Sequence, residues 1–331
     1  MLICIIGTQC SGKSTVKQYL QTLGFQEIIY TSSGLGQTEK EYEYNNFNQL
    51  LSFVTQNWRK DFVCTSLREL GMLRACAQRP FFVLLSLDAP VLTRWKRSQE
   101  KHPTNAVDLE QFIQDSDTER FGDRDPLNDI LQALSHVSIT NNFPQIEQLH
   151  NHLESLALTN PERTRPGWDD YFMLLASLAS LRCNCMKRRV GAVLVRNKRV
   201  VSTGQVNRLA PSPTHTLCRY NGTPRGLLNC NQGGCKRCNG TAKSGEAYDS
   251  CLCLHAEENA LLEAGRDRVG ERSTLYCNTC PCLRCTIKIV QSGVTEVVYN
   301  KSYSMDEASA NIFKEAGVIL RQHSPPRDYP I

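Results

Sequence analysis

Apolar positions along the chain follow two rhythms. Short apolar runs at residues 2–6, 81–87 and 136–140 are of buried-strand type, and helical stretches lie between them, the first at 14–20. That alternation predicts a parallel sheet. From about 150 to 167 the pattern loosens into a segment with two prolines, a glycine and several charges, which reads as a linker. The boundaries expected are a first domain at 1–155, a linker at 156–167 and a second domain at 168–331. The second opens with an amphipathic helix at 168–181, then strands at 190–195 and 199–203 joined by Asn197-Lys198 as a hairpin. Helices at 256–264, 283–291 and 306–316 alternate with strands at 274–277, 295–299 and 318–320. The fold class expected is α/β throughout: a parallel-sheet domain, then an α/β/α sandwich with a mixed sheet.

Composition narrows the function classes. With 331 residues, 40% of them hydrophobic, the chain can bury two cores, and no run of about 18 apolar residues suggests a membrane span. The apolar N-terminus runs into a glycine loop without a basic segment or cleavage site, so no secretion signal is read and a cytoplasmic location is expected, with a nuclear one open as well. A net charge of +5 is spread along the chain, which does not point to a nucleic-acid partner. Of sixteen cysteines, twelve lie between Cys183 and Cys285. In a reducing compartment, Cys-x-x-Cys spacings there point to metal before disulfide.

His255-Ala256-Glu257, with Pro281-Cys282-Leu283-Arg284-Cys285 downstream, has the spacing of a zinc deaminase signature. Cysteines at i and i+3 share a helix face, and a proline suits the start of that helix. His255, Cys282 and Cys285 as metal ligands would leave a fourth position for water, and Glu257 would move protons as the catalytic residue. The alternative is a purely structural zinc with Glu257 a solvated carboxylate.

Residues 168–320 resemble the deoxycytidylate (dCMP) deaminase family, its fungal members most closely. The resemblance rests on 181–195, Tyr220-Asn-Gly-Thr-Pro-Arg-Gly226, 251–260 and 275–285. It implies hydrolysis of dCMP to dUMP, feeding thymidylate synthesis, in a homo-oligomer, usually a hexamer, that is activated by dCTP with Mg²⁺ and inhibited by dTTP. It also implies substrate or effector contacts from Tyr220, Asn221, Gly222, Pro224, Gly226 and Asn259. Arg182, with the basic cluster 187–189, is the best phosphate-binding candidate, against a solvated helix end as the plain alternative. Residues 205–219 depart from the family pattern as an insertion, either a surface loop or a retained intron.

Cys235-Lys-Arg-Cys238 also has zinc-ligand spacing, and Cys230, Cys235, Cys238 and Cys253 are candidates for a second, structural zinc. The alternative is a set of reduced thiols near a subunit interface. Cys277 and Cys280 read as strand and turn residues. In the first domain, Gly7, Gly12, Lys13 and Ser14 complete a G-x-x-x-x-G-K-S phosphate loop between strand and helix, with ATP or another nucleotide as the expected ligand. The domain resembles P-loop nucleoside-phosphate kinases, with Arg94 and Arg97 where those carry lid arginines. The stretch 61–68 offers no acidic residue at the end of its strand, where a magnesium-coordinating aspartate would be expected. Three readings stay open: a dCMP deaminase with a nucleotide-binding first domain, a bifunctional kinase and deaminase, and a nucleic-acid cytosine deaminase.

Overall fold

The structure is a computed structural model describing residues 1–31, 42–103, 107–134, 137–203, 222–224, 226–243, 246–302 and 306–325. The insertion at 205–219, Tyr220 and Asn221 lie outside the described residues. The chain divides into two compact units, Met1–Arg165 and Pro166 onward. Among the described residues no helix is long and apolar enough to cross a membrane.

In the first unit all six residues of β1 (Leu2–Gly7) are buried, as their unbroken apolar run requires. A glycine loop leads into α1 (Lys13–Thr22), followed by β2 (Gln26–Glu27), β3 (Ile29–Tyr30), β4 (Glu43–Tyr44) and α2 (Phe47–Gln56). Next come β5 (Phe62–Cys64), α3 (Leu70–Ala77), β6 (Phe82–Asp88), α4 (Val91–Lys101) and α5 (Leu109–Phe121). The unit closes with α6 (Leu127–Ala133), β7 (Val137–Thr140) and α7 (Ile146–Ser155). Five strands pair in parallel in the order β2-β5-β1-β6-β7, and β3 with β4 forms a separate short pair. Period-two alternation sends Leu2, Cys4 and Ile6 to one face, against Leu50, Val54 and Leu73. Ile3 and Ile5 go to the other, against Val16, Leu20 and Leu149.

The stretch expected as a linker belongs largely to this unit. Leu158 is buried in its core, the Asn160 side chain accepts the Glu162 N–H at 3.0 Å, and the Arg163 guanidinium donates to the carbonyls of Leu156 and Ala157. Proline and charge content signalled an irregular path, the buried leucine decides membership, and the division after Arg165 falls within the expected linker.

The second unit runs α8 (Trp168–Ser180), β8 (Ala192–Arg196), β9 (Arg199–Ser202), α9 (Lys236–Asn239), α10 (Ala256–Ala264) and α11 (Arg266–Val269). It continues through β10 (Ser273–Thr279), α12 (Leu283–Gln291), β11 (Glu296–Lys301), α13 (Asp306–Glu315) and β12 (Ile319–Gln322). Its sheet has the order β12-β11-β10-β8-β9, with β10, β11 and β12 parallel and β8 antiparallel to both neighbours. Asn197 and Lys198 turn the β8–β9 hairpin with φ of 51° and 59°, the left-handed pair of a tight hairpin turn. Val193, Val195, Tyr276 and Val298 pack on Phe172 and Met173 of α8. The opposite face, Ala192, Leu194, Leu275, Cys277 and Val297, packs on Ala260, Ile289 and Phe313 of α10, α12 and α13. This is the sandwich expected, with α10 and α12 side by side on one face.

Candidate active site

The site forms where α10 and α12 begin. His255 is the residue before α10, in extended conformation, and Cys282 stands in the same relation to α12, with Cys285 one turn further on. An antiparallel bridge holds the approach to His255: the Gly222 N–H donates to the Leu254 carbonyl at 3.2 Å and the Leu254 N–H returns to Gly222 at 2.9 Å. His255 Nδ1 lies 3.4 Å from Cys282 Sγ and 3.3 Å from Cys285 Sγ, and all three donor atoms fall within 4.8 Å of one another. Tetrahedral zinc, with nitrogen at about 2.0 Å and sulfur at about 2.3 Å, would separate such donors by about 3.5 Å. The three residues therefore fit a zinc ion.

A hydrogen bond from Cys285 pushes Cys282 down to about 4, against the opposing effect of burial and with help from His255. The same bond, with burial, pushes Cys285 up. Glu257 is 3% exposed, and its Oε2 is buried without a hydrogen-bond partner. Burial raises its carboxyl to about 7, against the opposing influence of His255. A buried carboxylate oxygen with nothing to accept is costly unless it serves a ligand.

Glu258, next along the helix, does structural work. Its Oε2 accepts the His255 backbone N–H at 2.8 Å and its Oε1 pairs with Lys288 of α12, so one carboxylate joins the two helices that carry the donor set. The sequence reading did not single it out, although the capping spacing from position 255 to 258 was available.

The remaining candidates separate. Asn259 is buried one turn along α10 on the His255 face, its N–H bonded to the His255 carbonyl at 3.0 Å. Gly222 is held beside Leu254, and Pro224 and Gly226 follow it in the same loop. Arg182 is exposed just past the end of α8, and the Lys187 ammonium is bound to the Gly240 carbonyl at 3.2 Å. Cys277 lies in β10 and Cys280 just beyond it, outside every thiol cluster among the described residues.

Cys230, Cys235, Cys238 and Cys253 do pack together, but not as one ligand set. The thiols fall into two quartets, Cys185–Cys230–Cys238–Cys253 and Cys235–Cys238–Cys251–Cys253, with Cys230 and Cys235 in different ones. Cys185 was missed because it lies 53 residues before Cys238 and only folding brings them to 3.7 Å.

In the first unit, Gly7 and Gly12 are required where they stand. Gly7 has φ 151° and an added Cβ would lie 2.0 Å from the Leu87 carbonyl; Gly12 has φ 107° and a Cβ would lie 2.4 Å from Asn141 Nδ2. The Lys13 ammonium folds back onto the Gly7 and Thr8 carbonyls at 2.6 and 2.7 Å, and burial lowers it to about 8. Ser14 follows in the first turn of α1. A cavity of about 590 Å³ is lined by Asp88, Arg94, Ser116, Asp117 and Arg120 among others. Arg94 is buried, donating to the Ala89 carbonyl and Ser116 Oγ. Arg97 is absent from the lining and donates instead to the carbonyls of Asn141 and Phe143, and Arg120 lines the wall. β5 ends without a carboxylate; Asp88, at the end of β6, accepts from Thr8 Oγ1 at 3.1 Å and Arg120 at 2.9 Å.

Four likenesses bear on this geometry. The family signature described as the cytidine and deoxycytidylate deaminase zinc-binding region matches residues 166–301. Over 331 residues the chain is 44% identical to a deoxycytidylate deaminase of Schizosaccharomyces pombe, covering 98% of this chain and 98% of that relative. It is 45% identical over 296 residues to one of Saccharomyces cerevisiae, covering 85% of this chain and 86% of the relative. A deoxycytidylate deaminase of Mycobacterium phage D29 is 38% identical over 144 residues, 42% of this chain and 98% of its own length. The match to the fission yeast relative thus runs through both units.

Proposed function

The chain belongs to the deoxycytidylate deaminase family, and from that premise we propose that it hydrolyses dCMP to dUMP and ammonia at the site built by His255, Glu257, Cys282 and Cys285. It is a zinc-dependent dCMP deaminase. The observation that carries this reading is Glu257: a buried carboxylate with an unpartnered oxygen, two residues from the histidine of a three-donor set that leaves one tetrahedral position to be filled.

His255, Cys282 and Cys285 would hold the zinc, which when bound supplies the Lewis acidity that makes water nucleophilic near neutral pH. Glu257 accepts a proton from that water as the oxygen bonds to C4 of the cytosine ring. It hands that proton to the adjacent ring nitrogen, then carries the second proton, from the new C4 hydroxyl, to the amine as the C–N bond breaks and ammonia leaves. Removal of Glu257 from solvent keeps bulk water from competing for that proton. Asn259, on the same helix face as His255, orients the substrate, and the loop carrying Gly222, Pro224 and Gly226 closes beside it. Its bridge to Leu254 supports that placement. Arg182 meets the 5′-phosphate, and Tyr220 and Asn221 are further candidates for substrate or effector contact.

Regulation by dCTP with Mg²⁺ and by dTTP, and assembly as a hexamer, are the further parts of this reading. The resemblance of residues 168–320 to the family supports them. In the first unit, Gly7, Gly12, Lys13 and Ser14 bind nucleotide phosphate without transferring it. The absence of a carboxylate at the end of β5 favours binding over kinase activity.

Ammonia release from dCMP, CMP, deoxycytidine and a cytosine oligonucleotide, with and without dCTP, tests the main reading. Turnover of dCMP is expected, and turnover of the oligonucleotide alone would overturn it. Fluorescent ATP binding to wild type and Lys13→Ala tests the first unit. Binding lost in the variant supports the phosphate loop, and equal binding by both proteins removes it.

A further inference from the structure

Among the described residues, the loop between Gly226 and Cys253 contains one four-residue helix, α9, and short 3-10 turns, too little for a core of its own. It has instead a cluster composed only of cysteines: Cys230, Cys235, Cys238 and Cys253 are buried, with Cys185 and Cys251 packed against them. Among the described residues, none of these six forms a disulfide.

Their spacing is that of ligands. Cys238 Sγ lies 3.7 Å from Cys185 Sγ, 3.8 Å from Cys251 Sγ and 3.8 Å from Cys253 Sγ. Two thiolates on one tetrahedral zinc, each at about 2.3 Å, stand about 3.8 Å apart, whereas a disulfide would draw its sulfurs to about 2.0 Å. One ion with four thiolates would leave two further thiols in the pocket without a role. The two quartets share two members, Cys238 and Cys253, and no others. That is the pattern of two tetrahedral ions joined along a shared edge.

We propose that these six cysteines hold two zinc ions in a single bridged cluster. Cys185 and Cys230 are terminal ligands of one ion, Cys235 and Cys251 terminal ligands of the other, and Cys238 and Cys253 bridge both. Six thiolates around two divalent ions leave a double negative charge, and donors surround it. The Met186 N–H lies 3.4 Å from Cys230 Sγ, Asn239 Nδ2 lies 3.8 Å from the same sulfur, and Arg237 Nη1 lies 3.9 Å from Cys251 Sγ. The cluster ties the segment after α8, through Cys185, to α9 and to Cys253. Cys253 stands two residues before His255 and next to Leu254, which pairs with Gly222. Metal binding at the cluster therefore fixes the path by which His255 and the Gly222 loop reach the catalytic site.

The test uses the full-length protein purified without chelator, with zinc counted by plasma mass spectrometry. Three zinc per chain are expected in wild type and two in His255→Ala, so loss of the catalytic ion and of deamination leaves the cluster count untouched. After exchange with ¹¹³Cd, two thiolate-only resonances are expected, split by mutual coupling through the shared sulfurs. Cys185→Ser and Cys251→Ser should each abolish the coupling, one from each side of the cluster. Two zinc per chain in wild type, a single thiolate-only resonance, or two resonances without coupling would each overturn the bridged pair.

Discussion

The Glu258 carboxylate reaches back to accept the backbone N–H of His255 at 2.8 Å while its other oxygen pairs with Lys288 on the neighbouring helix. Burial works against its ionisation, but the Lys288 ammonium and the His255 N–H outweigh it and hold the carboxyl below its ordinary value. Glu258 is a positioning residue: it sets where His255 stands relative to Cys282 and Cys285. Glu258→Ala should weaken zinc retention about 10- to 100-fold, the usual effect of losing a group that orients a ligand. Glu258→Gln, which can still accept the N–H, should recover part of it. Chelator competition reads both, and unchanged affinity in the alanine variant would remove the role.

Glu257 differs from its neighbour in having no partner for Oε2. Glu257→Gln should lower kcat for dCMP at least 100-fold while leaving bound zinc unchanged, because it removes proton transfer without touching a donor atom. Zinc content and ammonia release measured on one preparation separate the two effects. A variant that loses its zinc would instead make Glu257 part of the metal shell.

Asp169 of α8 accepts from Tyr276 Oη at 2.7 Å and from Arg321 of β12 at 2.8 Å. Arg321 holds its carboxyl below the usual carboxylate range, with burial opposing. A carboxylate lowered in the folded state stabilises the fold above its unfolded value of about 3.9, and that contribution is lost as pH falls through the folded value. Asp169→Asn should therefore lower the thermal midpoint at pH 7, and the gap to wild type should close on acidification below about pH 4. A gap that does not narrow as pH falls below about 4 would show that the loss is one of packing rather than charge.

In the first unit, Gly7→Ala places a methyl 2.0 Å from the Leu87 carbonyl at a φ of 151°. β1 and β6 would have to separate at that point, at a cost of roughly 2 kcal/mol or more. Hydrogen exchange should quicken in Leu2–Gly7 and Phe82–Asp88 ahead of the rest of the unit. Uniform exchange, as in wild type, would show that the loop absorbs the methyl.

Much of this protein was legible along the chain because local pattern carries it. Apolar runs marked β1 and β6, and the turn of Asn197 and Lys198 marked the β8–β9 hairpin. The residues His255, Glu257, Cys282 and Cys285 stood out because a helix start fixes donor geometry within a few residues. The tertiary structure decided what depends on distance between segments. Leu158 joined the first unit because a side chain found a core that its proline-rich surroundings did not advertise. Glu258 gained its purpose from Lys288, thirty residues away. The thiols sorted into two overlapping quartets only when Cys185 came to 3.7 Å from Cys238. Spacing along a sequence specifies ligands within one turn or loop, but a shared ligand edge is a relation in space, set by where the sheet and helices carry the two ends of the chain between them.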